Sequence, residues 1–455
     1  MNNSFKVISP IDLTIYLERA YAGPKQIENV LSAAANAQKE WQKKSITDRA
    51  LLCQKAVDLL VARADQIGEE ITMQMGRPIR YTPNEIRSGL KERAEYMIHI
   101  AESALSPIDI DSKRKIKREP MGTVMVLAPW NYPYLTSINA IIPALMAGNT
   151  VILKHSDQTP LTSERYQEAF DEVGLPEGVF QFLHLNHDQV AQVIQDFRIN
   201  HVAFTGSVEG GHAIQKALSG KFITSGLELG GKDAAYVTAD ADVQKSVENL
   251  VDGAFFNSGQ SCCGIERIYV HESIYESFVQ SYVSLTKKYV MGNPLLSETE
   301  IGPMVKPAAA RYVMDEIDKA VDQGAQKQIK QDHLHSNAYL YPEVLTKVNH
   351  SMSIMTKETF GPVVGIMSVH SDEEAIRLVN DSPYGLTASI WSQDKALAWH
   401  IGDQLEVGTV FMNRCDYLDP ELAWTGVKKS GKGCTLSSIG YEQLTRPKSF
   451  HFRTL

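Results

Sequence analysis

The chain has 455 residues, 43% hydrophobic and 22% charged, with a formal net charge of −9. That length exceeds what one core usually organises, so two or three domains are expected, and the acidic balance argues against nucleic acid or an anionic membrane surface as partner. No run of about 18 apolar residues occurs, and the first residues lack a basic region followed by a long apolar stretch, so neither a membrane span nor a secretory signal is expected and the cytoplasm is the expected compartment.

In chain order, residues 26–44 and 45–76 place apolar side chains at helical intervals, the second stretch after a Ser45-x-x-Asp48 start that suits a helix N-terminus. Residues 106–120 alternate apolar and charged side chains, as an exposed two-stranded excursion would. From Gly122 onward strands and helices alternate. Residues 122–128 and 149–156 read as apolar strands around a helix over 137–148, and residues 180–185, 187–197, 201–207 and 208–220 continue the pattern. Such alternation predicts an α/β fold, a parallel sheet covered by helices, and places the dinucleotide-binding half here. Residues 441–455 finish with an alternating stretch suited to a strand that pairs with another subunit's edge.

The five cysteines, Cys53, Cys262, Cys263, Cys415 and Cys434, lack framework spacing, which suits a reducing compartment. None has the spacing of a zinc site, so no metal is expected. Two stretches carry chemistry. LELGGKDAAYV, residues 227–237, sets Glu228 beside Gly230 and Gly231, and NSGQSCCGIER, residues 257–267, sets Cys262 among small polar residues. A thiolate adds readily to carbonyl carbon, and a carboxylate in reach can take a proton from the thiol or from a water that later attacks a thioester. A lone cysteine is more often a buried small hydrophobe, but Ser258, Gly259, Gln260 and Ser261 are loop-forming residues, and loops carry reactive groups. The turn GSVEGG, residues 206–211, is not the GxGxxG fingerprint, yet between an apolar strand and a helix it offers backbone N–H groups to an anion.

ELGGK followed by GQSC, with APWNYP (128–133), Lys154 before Thr159 and Pro160, FTGS (204–207), ETFGPV (358–363) and SPYGL (382–386), resembles the aldehyde dehydrogenase superfamily, in the family's order from about Gly122 to Gly433. In overall look the chain is similar to bacterial succinate-semialdehyde-dehydrogenase-like members. The resemblance implies NAD(P)-dependent oxidation of an aldehyde to its acid on an α/β fold. It implies a Rossmann-type cofactor domain over residues 1–103 and 121–229, a catalytic domain over 230–433, and a β oligomerisation arm over 104–120 and 434–455 that makes a homodimer or homotetramer. It further implies Cys262 as nucleophile, the Asn131 amide and the Cys262 backbone N–H as an oxyanion hole, and Glu228 as the base for water. Implied cofactor contacts are Trp130, Lys154, Asp157, Gly206, Ser207, Leu229, Glu358 and Phe360. A carboxylate at Asp157 would repel a 2′-phosphate, which favours NAD while leaving NADP open. Lys232 is expected to be structural.

The implied substrate pocket is Tyr132, Phe256, Cys263 and Trp424. Members that take succinate semialdehyde place arginines where this chain has Asn139 and Phe256, so an aromatic pocket for an apolar aldehyde is expected, with Arg414 as the cation that could restore charge. Trp424, Thr425 and Gly426 replace the usual FGG and change the pocket's shape. Adjacent Cys262 and Cys263 could also close a strained disulfide under oxidation. Two other classes stay open: a relative that passes the acyl group to coenzyme A, against which Glu228 counts, and a binding protein without turnover, against which Cys262, Glu228 and Asn131 count.

Overall fold

The computed structural model describes residues 4–329, 334–336 and 338–453. The apolar run Thr123–Ala128 forms the strand around which a six-stranded sheet is laid out. Its order is Gly431–Lys432, Thr224–Glu228, Ile199–Thr205, Thr123–Ala128, Thr150–His155 and Phe180–Phe182. Neighbours are parallel except Gly431–Lys432, which runs antiparallel to Thr224–Glu228. The chain winds outward on one side of Thr123–Ala128 and then returns to build on the other. Beside that strand the winding reverses, which in open α/β sheets opens a crevice at the carboxyl ends of the strands.

Period-2 alternation sorts the strand side chains between two helical layers. Val124, Val126 and Val151 pack with helices Ile46–Ala62, Lys91–Leu105 and Pro133–Met146, whereas Met125, Leu127 and Ile152 pack with Pro24–Trp41, His187–Gln195 and Val208–Ala217. The stretch read as one helix over 45–76 is two, Ile46–Ala62 and Ala64–Met75, broken at Arg63 (φ −97°, ψ 12°). Ser45 caps the first of them by accepting from the Asp48 N–H. A π-helical turn, Glu85–Leu90, leads into Lys91–Leu105.

A second sheet of seven strands runs Gln326–Lys327, Glu343–Thr346, Val363–Val369, Ile265–His271, Asp233–Val237, Thr387–Trp391 and Thr409–Met412. All its pairs are parallel except the first. Ala234 and Tyr236 face one core, Ala235 and Val237 the other. The chain passes from the first sheet to the second between Glu228 and Asp233.

Ile108–Asp111, Arg114–Pro120 and Thr445–His451 form a three-stranded antiparallel arm. The terminal strand, expected to seek another subunit's edge, pairs along its length with Arg114–Pro120 of its own chain. It is led there by the turn Ile439–Leu444, where Tyr441 donates to the Met97 carbonyl (2.6 Å) and the Leu444 carbonyl accepts from Asn149 (3.0 Å). Leu436, Tyr441 and Leu444 share a core with Val124 rather than lying in the arm. Among the described residues no helix is long and apolar enough to cross a membrane.

One buried ion pair fixes the turn after Thr123–Ala128. Glu85 accepts from the backbone N–H groups of Tyr134 (2.8 Å) and Leu135 (3.0 Å) at the start of Pro133–Met146, and pairs with Arg77, each side chain 2% exposed. Arg77 also donates to the Asn131 carbonyl (3.4 Å) and lies over the Tyr132 ring. Removing one partner of such a pair strands a buried charge. Glu85→Ala is therefore expected to lower stability by roughly 3–5 kcal/mol, read from urea unfolding, with Glu85→Asp losing less.

Candidate active site

A cavity of about 650 Å³ opens where the two sheets meet, at the carboxyl ends of the first sheet's central strands. Asn131, Glu228 and Cys262 line it together, as do Trp130, Tyr132, Gly206, Ser207, Leu229, Phe256, Cys263, Glu358, Phe360 and Trp424. Lys154 and Asp157 lie outside this lining, at the end of the neighbouring strand Thr150–His155.

The loop before Cys262 is held in a conformation that side chains rarely adopt, with φ +54° at Asn257, +56° at Ser258 and +70° at Gly259. Polar contacts hold it there. Asn257 donates to the carbonyls of Asn131 (3.3 Å) and Gln260 (3.1 Å), Ser258 to Gly302 (2.9 Å), and the Gln260 side chain accepts from the Val305 N–H (2.8 Å). These residues read from sequence as loop-formers, and they are a loop, but a buried one whose polar groups form its core. Cys262 is a half-buried free thiol. No described residue accepts from its backbone N–H. The Asn131 amide gives one hydrogen to the Gln260 carbonyl (3.2 Å) and has a second to offer.

Glu228 ends its strand with both carboxylate oxygens engaged, one by the Thr435 hydroxyl and one by that of Thr205 (3.0 Å). Burial raises its pKa above the ordinary carboxylate range, with the two hydroxyls and Arg93 pulling the other way. The glycines that follow sit at close approaches: a Cβ on Gly231 would stand 2.6 Å from the Asp233 carboxylate and 2.9 Å from the Cys262 carbonyl oxygen, and one on Gly230 would stand 2.2 Å from the end of the Glu358 side chain. Glu358 accepts from the Gly231 N–H (3.3 Å) and is pushed up to about 8 by burial and by neighbouring Glu266.

Glu266 shapes the loop that carries Phe360, accepting from the N–H groups of Thr359 (2.8 Å) and Phe360 (2.9 Å). Lys232 is fully buried against it and donates to Thr359 (3.0 Å), a structural position. The Phe360 ring then meets Trp130 edge-on at 5.8 Å. Ser207 is the N-cap of Val208–Ala217, accepting from the Gly210 N–H (3.1 Å), so the helix presents its positive end beside the cavity. Lys154 pairs with one Asp157 oxygen (3.1 Å), and Tyr21 donates to the other (2.6 Å). A helix N-terminus, a ring pair and a lysine–carboxylate pair along one sheet edge fit an extended dinucleotide.

The cavity wall around the residues expected to meet substrate holds aromatic, polar and charged side chains together. Phe256 packs edge-on against Tyr81 (4.9 Å), and Trp424 is buried. Cys263 donates to Asp416 (2.9 Å), as does Ser261 (3.0 Å). The Arg414 guanidinium stacks on Tyr417 at 3.7 Å and does not line the cavity; Arg93 does. Arg93, Asp416, Tyr21 and Thr435 carry no sequence signal, since each is an ordinary helix, strand or loop residue until the fold assembles them, whereas Thr205 stands inside the FTGS motif without having been singled out.

The profile of the Aldehyde dehydrogenase family matches residues 1–450. An aldehyde dehydrogenase of Paenarthrobacter nicotinovorans is 34% identical over 94% of both chains. A succinate semialdehyde dehydrogenase [NAD(P)+] of Escherichia coli (strain K12) is 32% identical over 93% of this chain and 92% of its own. The crystal structure of succinic semialdehyde dehydrogenase from Streptococcus pyogenes in complex with NADP+ superposes with a TM-score of 0.95 at 28% identity, covering 99% of this chain and 100% of the other. The chain belongs to the aldehyde dehydrogenase family of NAD(P)-dependent oxidoreductases.

Proposed function

We propose that this protein oxidises an aldehyde to its carboxylic acid through a thioester on Cys262, with NAD preferred over NADP. The observation that carries the reading is the meeting of Cys262, Asn131 and Glu228 in one cavity from three separate segments. The Cys262 thiolate adds to the carbonyl carbon, forming the C–S bond and placing negative charge on oxygen, where the Asn131 amide and the Cys262 N–H donate to it. Bound NAD(P) supplies the acceptor for the hydride that leaves this carbon. The carbonyl re-forms as a thioester. Glu228 then takes a proton from water as its oxygen attacks, and the C–S bond breaks to release acid and thiolate.

The first sheet and its helices are the part we assign to the cofactor, the second sheet to catalysis, and the arm, with Ile108–Asp111 at a free edge, to self-association in the cytoplasm. A carboxylate that lines the same cavity as the thiol and can serve as the base for water counts against transfer to coenzyme A.

NADH absorbance at 340 nm, with NAD or NADP and a panel of aldehydes, tests the reading. Cys262→Ala is expected to give no signal. Glu228→Gln is expected to give a burst of about one NADH per subunit in stopped flow and then stall, because acylation needs no water and hydrolysis does. Silence of the wild-type protein across the panel would remove the assignment.

The threonine contacts to Glu228 set a pH dependence. A hydroxyl donating to a carboxylate favours the ionised form, so Thr435→Val raises the Glu228 pKa further and moves the acid limb of the kcat profile to higher pH. A limb that moved to lower pH would contradict this role.

Asp157, held between Tyr21 and Lys154, supports the NAD preference, because a second negative charge beside it is unfavourable. Asp157→Ser is expected to raise kcat/KM with NADP relative to NAD by about tenfold, the size of roughly 1.4 kcal/mol. An unchanged ratio would mean that Asp157 does not discriminate.

A further inference from the structure

We propose that Asp416 is a positioning residue for the attacking thiol, clamping the residues on either side of Cys262 so that its backbone N–H and its sulfur are presented to the carbonyl; this rests on the reading of Cys262 as the nucleophile. One oxygen of Asp416, Oδ1, accepts from the Ser261 hydroxyl at 3.0 Å and from the Cys263 thiol at 2.9 Å. Ser261 and Cys263 are the chain neighbours of Cys262, which lines the cavity between them. The peptide that carries the Cys262 N–H is the one joining it to Ser261. A hold on Ser261 therefore bears on the direction of that N–H, and a hold on Cys263 bears on the other side of the same α-carbon. With both neighbours tied to one atom, the two soft dihedrals of Cys262 have little freedom.

Asp416 is itself brought to this point by constraint. It lies in the loop after Thr409–Met412 with φ +48°, and Asn413 at the start of that loop has φ +54°. Side chains rarely adopt such conformations, and they persist where the surroundings over-determine them. Here the Asn413 amide accepts from the Ser392 N–H (3.1 Å) and donates to the Ser392 carbonyl (2.8 Å), which ties the loop to the end of Thr387–Trp391. Cys415 packs against Gly253 of the helix Val243–Phe255. The Tyr417 hydroxyl donates to Glu92 (2.8 Å) on Lys91–Leu105, and its ring carries the Arg414 guanidinium at 3.7 Å. A strand end and two helices thus hold the loop on both sides of Asp416.

The clamp works while Cys263 keeps its proton. Its thiol is pushed up by its contact with Cys262, by burial and by Asp416. Asp416 is pushed up by burial, with the two hydrogen bonds it accepts and Arg93 pulling the other way. What the two donors require is an acceptor oxygen, and an asparagine amide also has one. The Cys262 N–H is aimed at an oxygen that becomes negative only as the thiolate adds, so losing its direction slows acylation without weakening binding.

The full-length protein is mixed in stopped flow with p-nitrophenyl acetate, an activated ester that acylates a nucleophilic thiol and releases p-nitrophenolate without cofactor. Wild type is compared with Cys262→Ala, Asp416→Ala, Asp416→Asn, Ser261→Ala, Cys263→Ala, and Asp416→Ala paired with each of the last two. The limiting acylation rate of Asp416→Ala is expected to fall about 100-fold, the effect of roughly 1 Å of misplacement, at an unchanged half-saturating ester concentration. Asp416→Asn recovers much of the rate. Ser261→Ala and Cys263→Ala each lose part of it alone and nothing further in the Asp416→Ala background. A Cys262-dependent wild-type signal that Asp416→Ala leaves unchanged overturns the positioning role alone. A fall carried by the half-saturating concentration also overturns it, making Asp416 a substrate contact, as do additive losses in the paired variants, which make the three residues separate supports of the fold. A loss in Asp416→Asn as large as in Asp416→Ala assigns the effect to charge and overturns the clamp. If Asp416→Ala does not fold, wild-type rates in both Ser261→Ala and Cys263→Ala overturn the proposal. No wild-type acylation, or acylation that survives Cys262→Ala, removes the attacking thiol and the proposal with it.

Discussion

The backbone crossing at Gly230 and Gly231 is the constraint on which the site depends. There the chain leaves the first sheet for the second, and it passes close to the Glu358 carboxylate at Gly230 and to the Cys262 carbonyl oxygen and the Asp233 carboxylate at Gly231. The strand end bearing Glu228, the Cys262 loop and the Glu358 loop meet at this point. A β-carbon on Gly231 would press on the main chain at Cys262, whereas one on Gly230 would have to displace the end of the Glu358 side chain. The strand end that supplies Glu228 and the loop that supplies Cys262 thus have a fixed separation set by main-chain contact.

Around the crossing, the fold uses buried charge in the same way twice. Glu85, paired with Arg77, gathers the N–H groups of Tyr134 and Leu135 and so fixes the turn bearing Asn131. Glu266, paired with Lys232, gathers those of Thr359 and Phe360 and so fixes the loop bearing Glu358. Buried ion pairs are weak sources of net stability, because desolvation offsets attraction. Here each carboxylate satisfies backbone donors that a helix start or an irregular loop would leave unpaired. Their effect is on geometry, and the residues they place are the ones that face the cavity.

Much of this was legible in the sequence, and the remainder was illegible for a physical reason. Strand and helix alternation after Gly122 marked the first sheet, and the Ser45 start marked a helix. The motif residues Asn131, Glu228 and Cys262 stood out because short local patterns carried them. Thr435 meets Glu228 across 207 residues, and Tyr21 meets Asp157 across 136. No local pattern encodes such contacts. The break at Arg63 lies at neither glycine nor proline, so periodicity ran through it. The positions where a pocket arginine was sought hold Asn139 and Phe256, while the cation reaches the wall from another helix, where Arg93 reads as an ordinary surface residue. The loop at 257–260 was recognised as a loop, but its burial depends on Gly302 and Val305, which reach it only in the fold.

The resting place of Glu228 bears on how one carboxylate can serve the proposed mechanism. Between Thr205 and Thr435 it accepts two hydroxyl hydrogen bonds, which lower its proton affinity, while burial raises it. The net effect is upward. Arg93 adds a third contribution that favours the ionised form. Were Glu228 to release both hydroxyls while staying buried, only Arg93 would remain to oppose the burial, and its affinity for a proton would rise. Under the proposed mechanism the two threonines therefore keep Glu228 the weaker base for as long as they hold it.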